Sequence, residues 1–327
     1  MCSISGVIRF GTAPIKAEML TQLMLSMENR GMDASGVALV NNGRIEICKA
    51  DESAWRFTSS KMYASFLEEH LREDTKIALC HTRACTKGDP RDAVNNHPVF
   101  AGNCAVVHNG VVRNDDKIFA EHKLERKAEV DTDVIRAIVD RYGLTSQAVE
   151  KLQELEGSVA SIIVSNEEPE KVLLLRYSNP LIVAMSSDDL MFMASEKHAI
   201  HVAARPWVKR RGVWLKPVRA PLDWATFPDG SAWLFGPEEL EWHRSFRLQK
   251  WAPPSQSNTK PETAKPAVAE VKSYISYIEC RRCQAWTKVD TSPETTDMDN
   301  LLCGKCGCLA DTPEPIGGDF DGGRILM

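Results

Sequence analysis

Cys2-Ser3-Ile4-Ser5-Gly6-Val7-Ile8 stands directly after the initiator Met1 at the start of the chain. Removal of Met1 makes Cys2 the N-terminal residue, and a terminal cysteine carries nucleophile and base together. Its thiolate attacks a carbonyl, while its own α-amine, with an ordinary pKa of about 8, moves the proton. Such a site needs no separate catalytic histidine. The plainer reading is that position 2 holds any small residue compatible with methionine removal, and the segments downstream decide between the two.

The stretch continues as an apolar run, Ile4–Phe10, and similar short runs recur at Gly36–Val40, Ile77–His81, Cys104–His108, Val159–Val164, Val172–Arg176 and Leu181–Met185. These are predicted strands. Helical spacing marks Pro14–Met27, Thr132–Tyr142 and Ser146–Leu155, with Ser146 as the expected N-cap of the last. Strands joined mostly by turns, with helices in groups, point to an α+β chain of antiparallel sheets covered by helices.

At 327 residues the chain has room for a large domain and a smaller one. Hydrophobic content of 43% and charged content of 26% are those of a globular protein, and a net charge of −5 gives no global attraction to nucleic acid. No basic segment followed by an apolar run opens the chain, and no stretch approaches the roughly 18 apolar residues of a membrane span. The expectation is a soluble cytoplasmic protein without membrane contact. The ten cysteines divide into scattered ones (Cys2, Cys48, Cys80, Cys85, Cys104) and a terminal group (Cys280, Cys283, Cys303, Cys306, Cys308). That split favours reduced thiols plus a metal over a disulfide framework.

Four further segments pair glycine with polar residues beyond what a core needs: Arg30-Gly31-Met32-Asp33-Ala34-Ser35-Gly36, His81-Thr82-Arg83-Ala84-Cys85-Thr86-Lys87-Gly88, Val107-His108-Asn109-Gly110 and Val130-Asp131-Thr132-Asp133. Taken singly, Asn109-Gly110 is a hairpin-turn signal, Asp131-Thr132-Asp133 a helix cap, Arg83 a surface residue and His81 a half-buried one.

Together and in this order, they closely resemble the class II glutamine amidotransferase domain, the N-terminal-nucleophile glutaminase of glucosamine-6-phosphate synthase, amidophosphoribosyltransferase and asparagine synthetase. Asn95-Asn96-His97-Pro98, Gly157-Ser158-Val159-Ala160, Arg176-Tyr177-Ser178-Asn179-Pro180-Leu181 and Ala194-Ser195-Glu196 look like the family's later landmarks. The resemblance implies a four-layer α/β/β/α N-terminal-nucleophile hydrolase sandwich over residues 2–250. It implies Cys2 as nucleophile, its α-amine as general base and then acid, and Asn109 with Gly110 as the oxyanion hole. It further implies Arg83 as clamp for the substrate α-carboxylate, Asp131 as receptor of the α-ammonium, Thr86 as a pocket residue, and Arg30 and Asp33 as braces of the nucleophile loop. The family often has Trp-Ala-Thr-His after the arginine; Ala84-Cys85-Thr86-Lys87 stands there, so an aromatic lid contact and a histidine are missing.

Trp251–Lys272 changes character, with Pro253-Pro254-Ser255-Gln256-Ser257 and Lys265-Pro266, and reads as a flexible linker over 251–272. Beyond it, Cys280-Arg281-Arg282-Cys283 and, after nineteen residues, Cys303-Gly304-Lys305-Cys306 have the spacing of a four-thiolate zinc ribbon, placed at 273–312. Zinc would be structural there; Cys308 is an extra thiol, and the glycine-rich tail 313–327 reads as disordered. A basic, tryptophan-containing stretch, Arg205–Arg219, is a phosphate-binding patch or a solvated hairpin.

No Walker-type loop or Ser-Gly-Gly-x-Asp pyrophosphatase loop provides a synthase. The expectation is therefore a glutaminase subunit that hydrolyses L-glutamine to glutamate through a Cys2 thioester, without a cofactor for that step. Ammonia would pass to a synthase in trans, docked through the ribbon. The alternatives are a hydrolase of another amide, or a catalytically dead adaptor that binds nucleic acid or protein through the ribbon.

Overall fold

The computed structural model describes residues 1–204, 222–225, 227–235, 246 and 248, with the strand backbones at 208–210, 213–215, 240–243, 275–279 and 286–290. Two compact units divide the chain, 1–252 and 253–327.

The first unit is built on two antiparallel sheets. One holds β1 (Ser3–Arg9), β2 (Ala34–Asn41), β3 (Arg44–Ala50), β4 (Ile77–Arg83), β9 (Ile182–Ser186), β10 (Leu190–Ala194) and β13 (Leu222–Ala225), in the order β13-β9-β10-β1-β4-β2-β3. The other holds β5 (Val99–Ala101), β6 (Cys104–Val112), β7 (Gly157–Ser165), β8 (Val172–Tyr177), β14 (Ser231–Phe235) and β15 (Leu240–His243), in the order β15-β14-β8-β7-β6-β5. Val208–Arg210 (β11) and Val213–Leu215 (β12) form a separate hairpin within the basic stretch.

The period of two along each strand explains the layering. In β4, Ile77 and Leu79 join one apolar cluster while Ala78 and Cys80 join another. In β2 the same division separates Ala38 and Val40 from Val37 and Leu39. On the second sheet, Val172 and Leu174 of β8 face the cluster that also holds Ile4, Leu79 and Val107, and Leu173 and Leu175 face the opposite way. The shared cluster is the core between the sheets. The first sheet's other face packs on α1 (Ala17–Ser26), α2 (Ala54–Thr58), α3 (Lys61–His70) and α7 (Lys197–Ala203), through Leu20, Leu23, Met24, Phe57, Leu67 and Ile200. The second sheet's outer face packs on α4 (Asp115–Glu121), α5 (Thr132–Tyr142) and α6 (Ser146–Leu152), through Ile118, Ile135, Ile138 and Leu152. Because both faces of each sheet are covered, the central strands are apolar on both sides. The layers are α/β/β/α, as expected.

Two local expectations need correction. The cap of α6 is Thr145, whose side chain accepts from the Ala148 N–H at 3.3 Å; Ser146 is the first helical residue. Asn109-Gly110 is not a turn but lies inside β6, with Asn109 opposite Ala160 and Gly110 opposite Val159 of β7. The turn signal loses because the apolar run on either side of it pairs continuously with β7.

One buried charge holds the approach to α5. Asp133 is fully buried and accepts from Arg136 Nε at 2.6 Å and from the N–H groups of Lys127 and Ala128 at 2.6 and 3.1 Å. Asp133→Ala is expected to destabilise the unit by about 3–5 kcal/mol, since it leaves the buried Arg136 guanidinium with only the Glu125 carbonyl at 3.1 Å and the longer Asp140 contact at 3.7 Å. Urea unfolding checks this, and a loss below about 1 kcal/mol would show that the pair is dispensable.

The second unit contains the antiparallel strands β16 (Ile275–Glu279) and β17 (Trp286–Asp290). Linker residues 251–272, the ribbon cysteines Cys280, Cys283, Cys303 and Cys306, Cys308 and the tail 313–327 lie outside the described residues. Among the described residues no helix is long and apolar enough to cross a membrane.

Candidate active site

Cys2 sits just before β1, the strand held between β10 and β4. Ser3 lies opposite Thr82, and their hydroxyls are 2.6 Å apart. Ser195, after β10, accepts from the Ile4 N–H at 3.0 Å, and its own N–H donates to the Ile4 carbonyl at 2.9 Å. Cys2 is thus attached to the central strand of the first sheet. Its thiol donates to the Ala84 carbonyl at 3.4 Å.

Burial raises the pKa of the Cys2 thiol; the hydrogen bond to Ala84, the terminal ammonium and Arg83 oppose the rise, while Asp131 adds to it. The thiol therefore holds its proton at neutral pH and needs a base to remove it. A guanidinium and a carboxylate, Arg83 and Asp131, both lie within electrostatic reach of the thiol. Met1 is 79% exposed and so accessible for removal, which would turn the Cys2 amide nitrogen into an amine.

Arg83 ends β4 and is only 2% exposed. Its guanidinium donates to Asn96 Oδ1 at 2.6 Å and to the Lys87 and Gly88 carbonyls at 2.5 and 2.8 Å, all neutral acceptors. Asn96 is itself held, since its carbonyl accepts from Lys49 Nζ at 2.8 Å; burial lowers the Lys49 pKa to about 8. Asp131 precedes α5 but does not cap it with its side chain; its carboxylate accepts from the Val112 N–H at 2.7 Å. This ties α5 to the end of β6.

Asn109 is buried, its carbonyl accepts from Asn179 Nδ2 at 3.1 Å, and its own Nδ2 has no hydrogen-bond partner. A buried amide donor left unpaired costs about 1–3 kcal/mol. At Gly110 a Cβ would come within 2.2 Å of the Ser158 carbonyl and 2.5 Å of His108 Nε2, so only glycine fits.

Arg30 Nε donates to the Cys2 carbonyl at 3.2 Å and Nη1 pairs with Glu196 at 2.9 Å. Asp33 accepts from the Cys85 N–H at 2.7 Å, so it reaches the loop after Arg83 rather than Cys2 itself. Gly31 lets the two segments touch: a Cβ there would lie 2.4 Å from the Arg83 carbonyl carbon. Thr86 is exposed in that loop. Lys87, in place of the family's histidine, pairs at 2.6 Å with Asp115, a buried carboxylate that also takes Arg126 at 2.9 Å.

The sequence assigns no role to Ser195, Glu196, Asn96, Asn179 or Asp115. The first four lie in family-like landmarks, whereas nothing in the sequence around Asp115 singles it out. Hydrogen bonds from His198 and Arg30 hold the Glu196 carboxyl down at about 2 against the opposing effect of burial. A carboxyl whose folded pKa lies below its unfolded value contributes stability above about 4.3 that is lost as pH falls towards 2. The melting temperature should therefore drop more between pH 5 and 2.5 for the wild type than for Glu196→Gln; parallel curves would remove Glu196 as the cause.

Residues 81–202 match the family model described as a glutamine amidotransferase domain. The glutamine–fructose-6-phosphate aminotransferase (isomerizing) of Clostridium acetobutylicum is 34% identical over 206 residues, covering 60% of this chain and 32% of that protein. That of Sulfurisphaera tokodaii is 32% identical over 223 residues, covering 64% and 35%. By this similarity the chain resembles a glutamine amidotransferase domain. It spans about a third of the length of the curated relatives it matches. In fold, the chain is similar to the glutamine phosphoribosylpyrophosphate amidotransferase of B. subtilis complexed with ADP and GMP, with TM-score 0.55 at 18% identity, covering 74% of this chain and 49% of that one.

Proposed function

We propose that the chain is a glutaminase subunit which hydrolyses L-glutamine and supplies ammonia to a synthase in trans. The observation that carries the reading is the match of residues 81–202 to a glutamine amidotransferase domain, together with two opposite charges, Arg83 and Asp131, that both act on the Cys2 thiol. They match the α-carboxylate and α-ammonium of a free amino acid, with the planar fork of arginine suited to the carboxylate. Thr86 would border the same pocket, and Arg30 and Asp33 would brace it.

After Met1 is removed, the Cys2 amine takes the thiol proton as sulfur bonds to the side-chain carbonyl carbon. Asn109 Nδ2–H and the Gly110 N–H donate to the resulting oxyanion. The ammonium returns its proton to the amide nitrogen, the carbon–nitrogen bond breaks, and ammonia leaves a γ-glutamyl thioester. Water then attacks the thioester, the amine accepts its proton, and the thiol departs with that proton to give glutamate. Incubation of the processed chain with L-glutamine should yield glutamate and ammonia in equal amounts. Equal turnover of amides lacking the α-amino and α-carboxyl groups would refute the amino-acid reading.

For the second unit we propose a structural zinc ribbon. Cys280 and Cys283 fall in the connection between the paired strands β16 and β17, and four thiolates in two Cys-x-x-Cys pairs suit tetrahedral zinc. The ribbon would dock the synthase, or touch nucleic acid or another protein, and the reduced thiols fit a cytoplasmic setting. Metal analysis should find about one zinc per chain, lost in Cys280→Ser/Cys283→Ser with glutamine hydrolysis unchanged. Zinc retained by that variant would exclude this ligand set.

A further inference from the structure

Behind the candidate site lie three buried imidazoles from three different segments. His81 is in β4, His97 precedes β5, and His108 is in β6. His81 and His97 stack with their ring centres 4.0 Å apart. Burial is the main reason that all three pKa values fall, that of His81 to about 3, so the rings are neutral. Between His97 and His108 stands one hydroxyl. Thr132 Oγ1 is 2.8 Å from His97 Nε2 and 3.0 Å from His108 Nδ1.

We propose that Thr132 is a positioning residue of the glutaminase site, whose hydroxyl holds His97 and His108 in single tautomers and so sets β6 at Asn109 against Asp131. The inference rests on the glutaminase reading for its catalytic consequence, but not for the proton arrangement itself.

What each group can donate sets the proton arrangement. His81 Nε2 lies 3.0 Å from the His108 carbonyl, which only accepts, so His81 carries its proton on Nε2. The Thr132 hydroxyl has one hydrogen and faces two ring nitrogens. It donates to one ring, and the other must donate to it. The Ser158 carbonyl and His108 Nε2 lie 2.2 and 2.5 Å from the place a Gly110 Cβ would take, so a proton on Nε2 has that carbonyl nearby, short of hydrogen-bond geometry, and the carbonyl raises the His108 pKa. His108 Nδ1 is then bare and accepts from Thr132, while His97 donates its Nε2–H to the same oxygen. The nitrogens left without partners on His81 and His97 are both Nδ1, bare lone pairs in this arrangement. The His108 Nε2–H is the one ring donor left short of a hydrogen-bond partner.

The chain runs His97 Nε2–H to Thr132 Oγ–H to His108 Nδ1, and it crosses from α5 to β6. The neighbouring residues are those that matter to the substrate. Asn109, with its unpaired donor, comes directly after His108, and Asp131, which holds the Val112 N–H, precedes Thr132. Two crosslinks, Thr132 to His108 and Asp131 to Val112, therefore fix the spacing between the oxyanion strand and the carboxylate proposed for the substrate ammonium. The charged groups around the rings are Arg83, Lys49 and Asp131.

The test uses the full chain labelled with ¹⁵N-histidine. In the wild type, three rings should show protonated Nε2 and bare Nδ1 and should not titrate between pH 5.5 and 8. Thr132→Val should change the ring signature of His97 or His108 and lower kcat for glutamine by about 10–100-fold, with KM moving less than about 3-fold. Thr132→Ser should restore the signature and return kcat to within about 3-fold of wild type. A wild-type His108 protonated on Nδ1 overturns the proposal, as does Thr132→Ser being as impaired as Thr132→Val. Unchanged rings and kcat in a folded Thr132→Val protein do the same. If the wild type forms no glutamate at all, the glutaminase reading fails instead, and the ring signatures still decide the role of Thr132.

Discussion

Cys2→Ala is expected to lower kcat/KM for glutamine hydrolysis by at least about 10⁴-fold, the scale of losing a covalent nucleophile. Little else in the molecule should change. The side chain makes one hydrogen bond, to the Ala84 carbonyl, and the strand behind it is held by Ser195 and Thr82. Because burial keeps the thiol protonated, the base matters nearly as much as the sulfur. A chain that keeps Met1 has an amide where that base should be, and its activity should be comparably low. In the processed chain kcat/KM should rise with pH until the amine is neutral, near its ordinary pKa of about 8. A glutamate assay on protein whose N-terminus is verified by intact mass checks all three outcomes. Wild-type turnover by Cys2→Ala, or by protein retaining Met1, would sink the mechanism.

Asn109→Ala is expected to lower kcat by about 10²–10³-fold, with a much smaller change in KM. The reason is differential binding: the amide gains its partner only when the carbonyl oxygen becomes an oxyanion. In the resting protein Asn109 Nδ2 bonds to nothing, so its removal costs no hydrogen bond and relieves a buried unpaired donor. The variant should therefore melt no lower than wild type apart from any cavity effect. Steady-state kinetics and a thermal melt on the same preparation test the pair of statements. A loss confined to KM would assign Asn109 to ground-state binding.

Much of the fold is legible in the sequence because the strongest signals are local. Thr132–Tyr142 has helical spacing and is α5 over those residues, and the strand expected at Ile77–His81 extends only to Arg83 in β4. Leu190–Ala194, the strand beside β1 in the first sheet, is absent from the expected strands although it is an apolar run like theirs. β3, Arg44–Ala50, is absent from the expected strands although it alternates. The helix-cap signal at Asp131 fails for a different reason: the carboxylate has a better-placed donor in Val112, nineteen positions earlier, than in its own helix.

Order and spacing of the groups proposed to react or bind substrate are properties of the chain alone: Cys2 behind a removable methionine, Arg83, Asn109-Gly110 and Asp131. Such information is local, because each motif joins a side chain to the glycine or strand that its own segment requires. Folding in three dimensions settled what lies between the motifs. It put Asn96 on Arg83, Glu196 on Arg30, Asp115 on Lys87, and Thr132 between His97 and His108. These partners are far apart in the chain, or on segments whose paths are set by packing two sheets on a shared core, and buried polar groups meet whatever partner that packing leaves within about 3 Å.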